Sequence, residues 1–128
     1  MAAITSFRDL VVYQRARAEA GEIFRLSRQF PIEEKYSLTD QIRRSSRAVN
    51  AVLAEAWACR RYEAAFVNKV NEALGEAMET QAWLDHAFDC KYITSAIFEP
   101  RDSAWQEIGG MLHRMIDKAD TFCPRPEK

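Results

Sequence analysis

The sequence predicts an all-α protein, an antiparallel up-down-up-down bundle of four helices. Apolar residues recur with helical spacing in four long blocks, and no block shows the strict alternation of a half-buried strand. Only four Gly and four Pro interrupt the 128 residues, and 48% of them are apolar, a composition that sustains a core without staples. A chain of this length buries roughly two-thirds of the surface its unfolded form exposes.

The first block runs from about Arg8 to Arg28 and aligns Leu10, Tyr13, Ala16, Ala20, Ile23 and Phe24 on one face. Ser6 followed by Asp9 reads as an N-terminal capping box with Asp in place of Glu, and Phe30-Pro31 ends the block. The second block, residues 37–58, places Leu38, Ile42, Ser45, Val49, Val52 and Ala56 at alternating steps of four and three, a narrow bundle seam. Small residues Ser45, Ala48, Ala51 and Ala56 are expected to admit a neighbouring helix closely, with Arg43, Arg44 and Arg47 on the flanks.

The third block, residues 62–89, repeats the rhythm with Phe66, Val70, Ala73, Ala77, Leu84 and Phe88. Its outer side carries Glu72, Glu76, Glu79 and Asp85. Gly75 in mid-helix costs about 1 kcal/mol of propensity against Ala, so a tight helix crossing is expected there. The fourth block, residues 95–122, aligns Ile97, Ala104, Ile108, Met111, Met115, Ala119 and Phe122, with Thr94 as a cap. Pro100 allows two starts: near Thr94, with the proline after the first turn, or near Glu99, with the proline in the favoured first position. The tail, residues 123–128, holds two prolines and is expected to fray. Helices of this length joined by short links run antiparallel to their neighbours in sequence.

Charge is uneven beneath a net of −1. Between Gln41 and Arg61 stand five arginines and one acid, Glu55, a local charge of +4. From Tyr62 to Glu107 nine acids face Lys69, Lys91 and Arg101, a local −6. Nucleic-acid binding by bulk charge is thereby excluded, and only a local patch qualifies. No run of about 18 apolar residues predicts a membrane span, and the start Met1-Ala2-Ala3-Ile4-Thr5-Ser6 lacks the flank and apolar block of an export signal. A cytoplasmic location is expected, with Cys59, Cys90 and Cys123 as reduced thiols.

Motifs for catalysis are missing. No Glu-x-x-His pair exists for a dinuclear metal centre, and His86 with Cys90, four apart beside Asp85 and Asp89, supplies two ligands where zinc needs more. Neither His86 nor His113 stands in a nucleophile signature, and Gly109-Gly110 lies inside a helical pattern rather than a phosphate loop. No cofactor is expected, and a metal-dependent enzyme ranks last among the readings. Arg43, Arg44, Arg47, Arg60 and Arg61 have two readings: ion pairs with Glu55, Glu76 or Glu79 across adjacent helices, or contacts to backbone phosphates that weaken as salt rises. Trp57, Trp83 and Trp105 either close the edge of the monomer core or sit at subunit contacts.

Several landmarks together match one shared pattern in order and spacing. The opening pattern of Phe, Asp-Leu, aromatic-Gln and Ala is met by Phe7, Asp9-Leu10, Tyr13-Gln14 and Ala16. The link pattern is met by Phe30-Pro31, Glu34, Tyr36, Leu38 and Gln41-Ile42-Arg43-Arg44, and the third-helix pattern by Ala73, Gly75 and Glu79. Two departures stand out: Val52-Leu53-Ala54-Glu55-Ala56 replaces Asn-Ile-Ala-Glu-Gly, and Glu76 replaces a serine. Together these residues resemble one family, the four-helix bundle proteins of 23S rRNA intervening sequences. The resemblance implies a homopentameric bundle with no established enzymatic activity, related to accessory variability proteins of diversity-generating retroelements. Those bind nucleic acid and a reverse transcriptase through basic surfaces. Carried onto this chain, RNA or DNA binding rests on Arg43, Arg44, Arg47, Arg60 and Arg61. The alternative is a structural or protein-interaction module without nucleic-acid binding.

Overall fold

The computed structural model describes residues 3–124. Four long helices, α1 (Val11–Ser27), α2 (Leu38–Ala58), α3 (Glu63–Asp89) and α4 (Ser95–Asp117), are followed by a short α5 (Ala119–Phe122). No strand occurs among the described residues, so the predicted fold class is the observed one. Each long helix packs against its neighbours in sequence and α1 closes against α4, which gives a four-cornered bundle with no diagonal contact. The expected fraying of the tail concerns residues 125–128, outside the described residues, together with Cys123 and Pro124 beyond α5.

Local chemistry explains where each element begins and ends. The capping box on Ser6 and Asp9 forms, but it closes a separate 3-10 turn, Phe7–Asp9, rather than the long helix. The Asp9 carboxylate accepts from Thr5 N at 3.0 Å and Ser6 N at 3.1 Å, which holds its pKa below the ordinary value. Leu10 is then extended, and α1 starts at Val11 rather than at Arg8. Between α3 and α4 the backbone makes a Schellman closure: Tyr92 N donates to Ala87 O and Lys91 N to Phe88 O, each at 2.9 Å, with Lys91 left-handed at φ 63. α4 begins at Ser95 behind Thr94, so of the two starts that Pro100 allows, the earlier is adopted. The proline sits inside the helix and leaves the Ala96 carbonyl without an i+4 donor.

The core follows the seams. Leu38, Ile42, Ser45, Val49, Val52 and Ala56 are all buried, as are Phe66, Val70, Ala73, Ala77 and Leu84 opposite them. Of the small residues on α2, Ser45 and Ala56 lie in the core and Ala51 faces out. Ser45 and Thr80 bond each other at 2.8 Å in the interior, and each also reaches a carbonyl on its own helix, so neither hydroxyl is orphaned. Trp105 is the largest fully buried side chain, whereas Trp57 and Trp83 are half-buried at the margin.

Three aromatic or aliphatic positions and one glycine depart from expectation. Phe24, Phe88 and Ile97 are exposed. Phe24 lies a helical step off the stripe marked by Ile23, whereas Phe88 and Ile97 keep the angular register of Ala77 and Ile108 and are exposed where α3 ends and α4 begins, with the Phe88 ring 4.9 Å from that of Phe98. An added Cβ on Gly75 would meet nothing within 4 Å, so no tight crossing explains that glycine within the protomer.

Candidate nucleic-acid interface

Helical spacing divides the α2 arginines between two neighbours. Arg43 and Arg47, four apart, share the face toward α1, while Arg44 lies a 100° step round toward α3. Arg44 is paired there: Nη1 lies 3.1 Å from Glu76, and Nη2 bonds Glu79. The ion-pair reading therefore holds for this one residue. Glu55 pairs instead with Lys69, at 3.7 Å.

Arg43 and Arg47 converge with Arg28 around Phe24. Their guanidinium carbons lie 4.8, 5.6 and 5.9 Å from the ring centroid, respectively. Arg43 Nε also donates to Ser27 Oγ at 2.7 Å, and Ser27 in turn donates to Phe24 O at 2.9 Å, which fixes the guanidinium beside the end of α1. Among the described residues none of these three arginines has a carboxylate within 4.0 Å. Phe24 is 37% exposed because its ring serves as the floor for cations rather than as core.

An open groove of about 420 Å³ adjoins this cluster, lined by Lys35, Tyr36, Thr39, Asp40, Arg43, Arg44 and Arg47. Asp40 is its one carboxylate. Sequence reasoning missed Arg28, Lys35 and Tyr36, since they come from the end of α1 and the following turn; the signal was the short link, which brings that turn beside α2.

Arg60 and Arg61 lie apart, about 20 Å along α2 from Arg47 at 1.5 Å per residue. Arg60 stacks on Trp57 with its guanidinium carbon 3.5 Å from the ring centroid and donates Nε to Trp57 O at 2.9 Å. It closes the C-terminal end of α2, where a cation favours the helix dipole. Arg61 is exposed, 5.9 Å from the Tyr62 ring centroid. The five arginines thus form no single patch: Arg43 and Arg47 join Arg28, Arg44 is neutralised, and Arg60 with Arg61 stand at the other end.

Elsewhere the groups are scattered or structural. No cluster of three or more His, Cys, Asp or Glu able to hold a metal occurs among the described residues, and His86 and Cys90 are both exposed. Cys59, Cys90 and Cys123 are free thiols, with burial pushing that of Cys123 above its ordinary pKa. Glu34 accepts from Ser37 Oγ at 2.6 Å and Tyr92 Oη at 2.8 Å; the second bond raises Tyr92 to about 12. Glu19 pairs with Arg101 at 3.2 Å, yet its second oxygen is buried without a partner. No described helix is long and apolar enough to cross a membrane.

No curated protein matches the chain. Among solved structures, a protein of unknown function from the S23 ribosomal protein family of Bacteroides thetaiotaomicron is 32% identical and superposes with a TM-score of 0.76. That match covers 84% of this chain and 100% of the relative. The sequence profile of the 23S rRNA-intervening sequence protein family matches residues 8–114, most of the bundle including α2 and the groove beside it. This chain belongs to the 23S rRNA-intervening sequence protein family.

Proposed function

We propose that the chain is a non-enzymatic nucleic-acid-binding protein that acts as a homo-oligomer, with Arg28, Arg43 and Arg47 as its phosphate contacts. One observation carries the reading: three guanidiniums gather round Phe24 with no carboxylate within 4.0 Å among the described residues. Cations held side by side repel each other, and an anion that binds them relieves that repulsion. Guanidinium forks match phosphate oxygens, and contact to a polyanion releases its condensed counterions. Three contacts make a weak site. A ring of protomers multiplies it, because the second contact to one strand becomes intramolecular. Gly75, with open space beside it, and Met78, 56% exposed and three residues on, mark a face of α3 suited to a second copy.

A structural or protein-interaction role is favoured by one feature, the double pairing of Arg44 with Glu76 and Glu79. A charge-reversed Arg28→Glu, Arg43→Glu, Arg47→Glu variant separates the two. In a mobility-shift titration the wild type is expected to bind an oligonucleotide and to lose it as salt rises, while the variant binds nothing with unchanged far-UV circular dichroism. Equal binding by both proteins, or none by the wild type at micromolar concentration, refutes the reading.

A further inference from the structure

We infer that the groove beside Arg43 and Arg47 takes an unpaired strand, with a base stacked on Tyr36; the inference rests on the nucleic-acid reading above. Tyr36 is the second most exposed large hydrophobic side chain among the described residues, at 85%, and follows the 3-10 turn Ile32–Glu34. Lys35 Nζ approaches its ring to 5.4 Å, and the exposure leaves most of the ring uncovered. Its neighbours along the groove are Arg43 and Arg47, which have no ion pair among the described residues. An aromatic face beside phosphate-binding cations is what a single strand requires, since any base offers a π-face and the backbone follows the charge. A duplex holds its bases in their own stack and offers the ring only its ends. Asp40 lies in the same groove and disfavours phosphate at that point, which directs the backbone toward Arg43 and Arg47 and away from the turn.

Arg44 lines the groove as well, but Glu76 and Glu79 occupy its guanidinium, so it adds little attraction. The site thus has one stacking surface and two or three phosphate contacts per protomer, few enough that base identity is not read. RNA and DNA share the chemistry, and the 2′-hydroxyl has no assigned partner here.

Fluorescence anisotropy with a labelled mixed-sequence RNA strand, its DNA counterpart, and each annealed to its complement tests this directly. Wild-type protein is expected to prefer the unpaired strands. Tyr36→Ala is expected to weaken their binding about tenfold, with duplex affinity unchanged, and Tyr36→Phe to retain it. The side chain is solvent-exposed, so circular dichroism should not change with either substitution. Equal affinity of Tyr36→Ala and wild type for single strands overturns stacking; if Arg43→Glu with Arg47→Glu still abolishes binding, the nucleic-acid function stands without it. A wild-type preference for duplex likewise overturns the inference. Failure of the wild type to bind any of the four probes removes both proposals.

Discussion

Glu19 shows how one side chain can hold two helices together and still weaken the fold. Its carboxylate reaches Arg101 across the α1–α4 contact at 3.2 Å, but the side chain is only 13% exposed and one oxygen has no partner. Burial raises its pKa above 4.5, opposed chiefly by the charge of Arg101. A carboxyl whose folded pKa is raised binds its proton more tightly in the native state than in the unfolded one. Stability from this group is therefore lost as pH rises from about 4.5 through the folded value. Glu19→Gln keeps a hydrogen-bond acceptor for Arg101, which also has Glu22 at 3.4 Å, and removes the buried charge. The variant is expected to melt above wild type at pH 7 and to converge with it toward pH 4, read by thermal denaturation at both. A lower melting temperature at pH 7 would show that the ion pair outweighs desolvation. Glu34 has the opposite sign: the bonds from Ser37 and Tyr92 lower its pKa, so its contribution disappears on acidification below the ordinary range.

At the scale of elements, legibility depended on whether one stripe faced one neighbour. The α2 seam from Leu38 to Ala56 was readable throughout because its alternating steps leave one solution for the buried face. Ile23 and Phe24 are adjacent apolar residues, and spacing alone assigns both to the core; only the arrival of Arg43 and Arg47 beside α1 decides that Phe24 stays outside. Lys91 gave no sign of a left-handed cap, since the residue expected there is Gly or Asn. The start of α4 was open in the sequence and is closed by bonds from Ile97 N and Phe98 N to Thr94 O, at 3.1 and 2.8 Å. Gly75 is the clearest element-level test. With nothing within 4 Å of a new Cβ, Gly75→Ala is expected to stabilise α3 by about 1 kcal/mol in the protomer, measured by urea denaturation. A destabilised variant would mean that another chain lies against that face.

The whole molecule segregates charge that its net of −1 conceals. Where α2 faces α3, Arg44 pairs with Glu76 and Glu79, and Lys69 of α3 pairs with Glu55 and Glu72, while the side toward α1 keeps Arg28, Arg43 and Arg47 without an ion pair among the described residues. In the sequence the arginine stretch was visible as a stretch; its division into free, paired and capping members required the neighbours that folding supplies. Attraction of a polyanion here is confined to roughly a Debye length, about 8 Å at physiological salt, so binding must depend steeply on ionic strength. The slope of log affinity against log salt, compared for Arg47→Gln and Arg44→Gln, tests the division most directly. Arg47→Gln is expected to reduce the slope by about 0.7 to 0.9 per site, and Arg44→Gln to leave it nearly unchanged. Equal slopes for the two variants, or a larger change in Arg44→Gln, would contradict the assignment of the free arginines as the binding surface.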